Sequence, residues 1–468
     1  MKQSVRAVGN FAGFSQMRRL RATTCLLAIL AGFLYPVPAL APPMLDPEIV
    51  SMIGQIDSNR IATSIQTLVA FGTRNSCSDN TGTPPGIGAA RDWIRAQFAA
   101  LPGIQVVLDP FAGPCQTIQN VVAWIPGSGH PDRLIIIGGH YDSRTYDRND
   151  GTSPAPGTND SGSQTALVLE VARVLAGHSF DTTVVFVAWA GEEQGLYGSA
   201  SFVQTYTTYF PTGTLELNLN CDIVGGDNTV NDDTALQQFR LFSPGTPREI
   251  SPGDGTTDNT SPSRSIMRHV GYRGSAYVPE MTMLPQLRED RVGRGGDHES
   301  FIASAIPAVR FIEVNENLAH QHAPADQFDY VTPAYTSRVA RVTAATLADL
   351  ARASTPPQSM VATRLPGSMV RLTWAAPAAG PAVDYYVISA RPVTENFYRT
   401  RFVVPGTATT TDARVNEDLG IAEGADYFVS VAAVDGGGHE SLYAYPEYRC
   451  GPNGCVVPDG ALDVTATR

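Results

Sequence analysis

The sequence predicts an α/β domain on a mostly parallel mixed sheet sandwiched by helices, followed by a small all-β sandwich. Three observations predict it. From about residue 44 to 353, apolar strand-like runs alternate with helical ones. The alternation stops at Ser354-Thr355-Pro356-Pro357. Beyond it the runs are short and separated by Gly, Pro and Asp, which is the spacing of a sandwich. A chain of 468 residues that is 43% hydrophobic is long enough for two or three such domains.

In chain order, residues 1–41 carry Lys2, Arg6, Arg18, Arg19 and Arg21 with no acid, then the apolar run Cys25 to Leu34, then Ala39-Leu40-Ala41. A basic region, a short apolar stretch and a small-x-small site make a secretory signal peptide, with cleavage expected after Ala41. The apolar run is shorter than the ~20 residues that span a bilayer, so a secreted or periplasmic protein without a membrane anchor is expected. Loss of the leader would leave 28 basic against 45 acidic residues, a net charge of −17, which repels phosphates and argues against nucleic-acid partners. Lys2 is the only lysine, so a Schiff-base or P-loop lysine is excluded from the mature chain. In an oxidising compartment, Cys77 with Cys115 and Cys450 with Cys455 are the natural pairs by proximity, leaving Cys221 as a small buried hydrophobe.

The first domain is expected over 42–355. Its strands are expected at Asn120–Ile125, Arg133–Gly138, Thr182–Trp189, Glu216–Ile223 and Ala308–Val314, with helices at Ala89–Leu101, Gln164–Ala176 and from Thr332-Pro333 to about Arg352. Long polar loops are expected at 144–159 and 243–264. The second domain is expected over 356–447, followed by a tail, 448–468, with a Cys450–Cys455 loop. Its strands are Met369–Trp374, Tyr385–Ala390, Arg401–Val404 and Tyr427–Val434. Through Pro356-Pro357, Val370 to Trp374, Tyr385 to Ile388 and Tyr427 to Val431 it resembles a fibronectin type III domain, with Trp374 and Tyr427 in its core.

Chemistry concentrates where the first domain's strands end, as expected of open α/β sheets. Gly139-His140-Tyr141-Asp142 places a metal-ligand type two residues before a carboxylate able to orient its ring. Asn159-Asp160-Ser161-Gly162 sets a carboxylate among small residues at a helix start. After Trp189 comes Ala190-Gly191-Glu192-Glu193, two adjacent acids that repel unless a cation compensates. Asn220-Cys221-Asp222 closes another strand, and Gly296-Asp297-His298 and His320-Gln321-His322 add imidazoles.

These motifs, in this order, resemble the di-zinc peptidases that include secreted bacterial leucyl aminopeptidases, glutamate carboxypeptidases and the related glutaminyl cyclases. The resemblance covers roughly residues 60 to 352. It implies a zinc-exopeptidase fold, two Zn2+ per chain, and peptide or protein substrates. His140 and Asp222 would bind one zinc, Glu193 and His322 the other, and Asp160 would bridge them. Glu192 would be the general acid/base of a hydrolysis in which the ions activate water. His322-Ala323-Pro324-Ala325-Asp326 matches the family's His-Thr-Pro-x-Asp segment, with His320 as the fallback ligand and Asp297 and His298 as pocket-wall or supporting groups. Some relatives place an oxyanion-steadying tyrosine before the Asp-His segment, and here Arg294 is the candidate for that role.

An aminopeptidase is the leading expectation. A carboxypeptidase, a glutaminyl cyclase and a non-catalytic binding or adhesion module stand as alternatives. Side-chain preference and oligomeric state are left open. The remaining histidines, His130, His178, His269 and His439, lack ligand spacing and are expected in turns, structural or surface positions, and Tyr146 to Asp150 as a solvated loop.

Overall fold

The Ile- and Val-rich runs at Leu134–Ile137 and Val184–Val187 occupy adjacent central strands and send alternate side chains to opposite faces of one sheet. Ile135, Ile137, Val184 and Phe186 enter one core, while Leu134, Ile136, Val185 and Val187 enter a second. A strand apolar on both faces must be covered by helices on both, which is the arrangement in the computed structural model. It describes residues 43–228, 235–244, 261–290 and 294–458. The expected leader, most of the 243–264 loop and the end of the tail lie outside the described residues.

The sheet has eight strands: β1 (Gln105–Ala112), β2 (Thr117–Ile125), β3 (His130–His140), β4 (Thr182–Trp189), β5 (Thr214–Cys221), β6 (Gln238–Phe242), β7 (Thr282–Gln286) and β8 (Ala308–Glu313). Their order across the sheet is β1-β2-β4-β3-β5-β8-β6-β7. The central four, β4, β3, β5 and β8, run parallel. β1 and β2 join antiparallel at one edge, and β6 joins β8 antiparallel near the other. The expected strands are all present. The sequence reading lacked β1, β6 and β7, because β1 is half exposed with Pro110 inside it and β6 and β7 are only five residues long.

Helices α1 (Pro47–Gly54), α2 (Ser58–Ala70), α3 (Ile87–Ala99), α4 (Gln164–Leu175), α5 (Tyr197–Thr205), α6 (Pro262–His269), the single turn α7 (Ser275–Tyr277), α8 (His298–Ala303) and α9 (Pro333–Arg352) surround this sheet. Asp46 and Asp57 cap α1 and α2 by accepting from Glu48 N and Asn59 N, and Ser261 caps α6. Helices α1 to α4 and α9 fill one core, and α5 and α8 supply Phe202, Val203, Phe301 and Ile302 to the other. Among the described residues no helix is long and apolar enough to cross a membrane.

After α9 the chain enters two antiparallel sheets. One is β9 (Gln358–Leu365), β10 (Met369–Ala375) and β13 (Thr410–Arg414). The other is β11 (Val383–Pro392), β12 (Phe402–Pro405), β14 (Tyr427–Asp435), β15 (Tyr448–Gly451) and β16 (Gly454–Val456). Their shared core holds Trp374, Tyr386 and Tyr427, with Trp374 and Tyr386 edge to face. The sandwich is tied to the α/β domain by buried charge. Arg273 donates to both oxygens of Asp349, to Met44 O and to Gly438 O in the sandwich. His439 sits between Asp435 and Asp46, 2.9 Å from each. His130, expected in a turn, begins β3, contacts Asp181 and accepts from Gly380 N of the sandwich. Disulfides join Cys77 to Cys115 and Cys450 to Cys455, and Cys221 is buried and free.

Candidate metal centre

The carboxyl ends of β3, β4 and β5 deliver His140, the Gly191-Glu192-Glu193 turn and Asp222 to one place, because parallel strands end on the same side of the sheet. Two more loops reach the same place. Thr158–Ser163 forms a π-helical turn broken at Asp160 (φ −110°, ψ 83°), and the segment before α9 brings His322, whose φ of +54° is a left-handed conformation rare outside glycine.

The result is two ligand clusters, His140 with Glu192 and Asp222, and Asp160 with Glu193 and His322. Asp160 links them. Its Oδ1 is 3.2 Å from His140 Nε2, and its Oδ2 is 3.2 Å from His322 Nε2. His140 Nε2 lies 3.5 Å from Asp222 Oδ1 and 3.9 Å from Glu192 Oε2, and His322 Nε2 lies 3.2 Å from Glu193 Oε2. The donor set suits zinc by type, two imidazoles with carboxylates. Asp160 Oδ1 and Glu193 Oε1 are buried with no hydrogen-bond partner among the described residues, which is the condition of ligand atoms that await a cation.

The electrostatics separate the carboxylates by role. Burial pushes the Glu192 carboxyl well above its ordinary range, and Asp222, Glu193 and Asp297 add to this against the pull of His140. Asp160 and Asp222 move the other way. Burial opposes their charge, but His140 and His322 around Asp160, and Arg310 with His140 around Asp222, outweigh it. Among these three carboxylates, Glu192 alone is shifted toward holding a proton.

Asp142 plays a different part from the one expected. His140 Nδ1 donates to the backbone carbonyl of Asp142 at 3.1 Å, and the Asp142 carboxylate stands off at 3.6 Å. That carboxylate instead accepts from Glu192 N and Glu193 N, each at 3.2 Å, so it holds the turn that carries both acids. The carbonyl does the orienting, holding the ring so that Nε2 faces the cluster.

Other expected residues take their own places. His320 lies outside both clusters, contacting Asp227 and stacking on Tyr330 at 4.0 Å between ring centres. Asp297 and His298 are fully buried at the start of α8. Burial pushes Asp297 up to about 7 and His298 down to about 3. Arg294 is mostly buried and engaged by Glu316, with Asp290 3.7 Å away, so its charge is already matched.

Four supporting residues were not legible as such. Arg74, fully buried, donates to the carbonyls of Leu68, Tyr141, Pro156 and Gly157, binding together the loops that carry His140 and Asp160. Asp326 accepts from Asn159 N and Asp160 N at 2.9 and 3.0 Å. Arg310 holds Asp222 Oδ2 at 3.0 Å, beside Gly296, where any Cβ would fall 2.7 Å from that oxygen. Arg144 contacts both Glu193 and His322. Arg144 and Asp326 stand in the quoted motifs or next to them, and that adjacency was the available signal. Arg74 and Arg310 carry none, because a buried arginine reads in sequence like an exposed one.

Comparison with known proteins gives the family and the fold. Residues 120–347 match peptidase family M28 and residues 355–447 match the fibronectin type III domain. A probable zinc metalloprotease of Leptosphaeria maculans is 35% identical over 380 residues, covering 75% of this chain and 87% of its own. One of Pyricularia oryzae is 34% identical over 425 residues, covering 82% and 84%. Among solved structures, the LapA aminopeptidase of Legionella pneumophila shares the fold, with a TM-score of 0.52 at 20% identity over 66% of this chain and 77% of that one. The glutaminyl cyclase of Macrostomum lignano shares it too, with a TM-score of 0.50 at 15% identity over 66% and 95%. The chain belongs to peptidase family M28 and carries a C-terminal fibronectin type III domain.

Proposed function

We propose that this protein is a secreted exopeptidase that holds two zinc ions and acts as an aminopeptidase, with Glu192 as its general acid/base. The observation that carries the reading is the placement of Asp160, one oxygen toward His140 and the other toward His322, 3.2 Å from each ring. A carboxylate so placed suits a bridge between two cations, one with His140 and Asp222 and the other with Glu193 and His322. When bound, the ions supply Lewis acidity toward a scissile carbonyl and toward water.

The protein's own groups do the rest. Asp142 fixes the Glu192-Glu193 turn through two backbone N–H groups, so Glu192 faces the cluster while Glu193 is directed to the second position. A carboxyl pushed up by burial is suited to accept a proton from water and return it to a leaving amine. The two disulfides suit an oxidising compartment, which supports secretion. Relatives named as zinc metalloproteases support the metal, and the LapA likeness is one of fold.

The test is hydrolysis of aminoacyl-arylamides beside N-blocked peptides with free C-termini, with and without chelator, for wild type and Glu192→Gln. Chelator-sensitive arylamide cleavage that falls by about 10²–10⁴ in the variant at equal zinc content is expected. Cleavage of the blocked peptides alone would move the protein to carboxypeptidase chemistry. Neither activity, with zinc bound, would reject the peptidase reading in favour of cyclisation or a binding role.

A further inference from the structure

We propose that the seam between the two domains holds a binding site for a small aromatic carboxylate, in a cavity walled by rings with Arg268 as the contact for the acid group. None of the residues lining it belongs to the metal centre, so the proposal goes beyond the peptidase reading.

The cavity has a volume of about 170 Å³. On the peptidase side it is bounded by the end of α6 and the π-helical turn that follows, Val270–Gly274. The sandwich supplies Phe397, Tyr398 and Arg401 from the stretch between β11 and β12, and Glu440 and Tyr443 from beyond β14. Gly271 permits this close approach, since a Cβ there would fall 2.5 Å from the Phe397 ring. A cavity of about 150 Å³ accommodates a benzene ring, so this one has room for a ring and a short substituent. Tyr272, Phe397 and Tyr398 each keep part of their surface in solvent, which leaves a way in.

The walls favour a flat ligand. Tyr398 and Tyr443 meet at 4.3 Å between ring centres, and the Arg401 guanidinium lies 4.3 Å over the Tyr272 ring. Arg401 Nη1 and Nη2 donate to the two oxygens of Glu440 at 2.9 and 2.5 Å, and Nη1 also donates to the Tyr443 hydroxyl at 3.2 Å. That pair neutralises itself and presents ring and guanidinium faces, against which another π face packs well.

Arg268 supplies the charge. It is 3% exposed, donates from Nε to Asn396 O at 2.9 Å and has Nη1 3.2 Å from Glu447 Oε2. The same oxygen accepts from Arg391 Nη2 at 2.8 Å, and the Tyr398 hydroxyl donates to Oε1. Glu447 is thus shared between two buried guanidiniums, and positive charge held in a low-dielectric seam attracts a further anion. Burial and the nearby Arg391 push Arg268 down to about 10, a shift that an added carboxylate opposes. A ring that carries a carboxylate meets both demands at once, with the ring among the tyrosines and the acid toward Arg268. Free aromatic amino acids and aromatic acids without an ammonium group share that chemistry.

The experiment is a calorimetric titration of the full, zinc-loaded chain with phenylacetate, with benzyl alcohol as the uncharged ring, acetate as the acid without a ring, and phenylalanine to separate the two sources. Phenylacetate should bind once per chain, about tenfold or more tighter than benzyl alcohol or acetate, and equally well after chelation of the metal. It should also raise Tm, since it binds the folded seam. Phenylalanine binding as tightly would support an amino acid as the ligand, and its exclusion an acid without the ammonium group. Arg268→Gln should bring phenylacetate down to the level of benzyl alcohol, and Tyr272→Ala, which removes an uncharged wall, should weaken both, each variant being checked for folding by circular dichroism. Phenylacetate no tighter than benzyl alcohol, binding lost on chelation, or binding unchanged in Tyr272→Ala would overturn the proposal. The ligand series on wild type decides the matter even where Arg268→Gln fails to fold.

Discussion

Asp326→Ala tests whether the Asp160 loop is held from across the site. The Asp326 carboxylate is 2% exposed and accepts from Asn159 N at 2.9 Å and Asp160 N at 3.0 Å. The backbone carbonyl of Asp326 separately accepts from Thr158 N and Oγ1, and that tie survives the substitution. Alanine therefore removes only the carboxylate and leaves two buried N–H donors unpaired, at about 1–3 kcal/mol each. Burial pushes the Asp326 carboxyl up to about 7, a cost that alanine relieves, so the net loss should fall in the lower half of the summed range, at about 3 kcal/mol. The measurement is urea unfolding at pH 7 in the presence of chelator, so that metal binding does not contribute, with zinc content after dialysis measured separately. Asp326→Asn, which keeps one acceptor oxygen, should lie between the two. A loss below about 1 kcal/mol together with full zinc retention would show that Asp160 is positioned by its own turn and refute the reasoning.

Two further outcomes concern the junction between the domains. Arg273→Met leaves Asp349 buried without its bidentate partner and should cost about 3–5 kcal/mol by urea unfolding, while Arg273→Met with Asp349→Leu should recover most of it; a double variant as unstable as the sum of the singles would argue against a paired interaction. Burial opposes charge on His439, but Asp435 and Asp46 outweigh it and raise its pKa. Its contribution is therefore full below its unfolded value near 6.5 and lost as pH rises through the folded one, so Tm should fall between pH 6 and 9 more in wild type than in His439→Gln, and parallel curves would count against the link.

Legibility followed the range of the forces involved. The central strands, α4 and α9 declare themselves because continuous apolar runs and an N-terminal proline are local signals. The edge strand β1 and the short β6 and β7 do not, since their pairing comes from neighbours distant in sequence. The ligand types at strand ends were legible because the chemistry demands particular side chains next to apolar runs. The choice of His322 over His320 came from the resemblance, and the structure brings His322 into a cluster with Asp160 and Glu193 while turning His320 to Asp227.

By itself, then, the sequence determined the α/β domain with its appended sandwich, both cysteine pairs, the absence of any lysine beyond Lys2 and the set of residue types able to hold cations. Only the tertiary structure decided what each carboxylate and arginine touches. Asp142 could be assigned to the Glu192-Glu193 turn only once β3 and β4 lay side by side. Arg74 and Arg310 could be placed among the ligand loops only once the sheet had buried them. The physical reason is that hydrogen bonds and ion pairs act over a few ångströms in space, whereas the partners here lie tens to hundreds of residues apart, Arg144 and His322 being separated by 178.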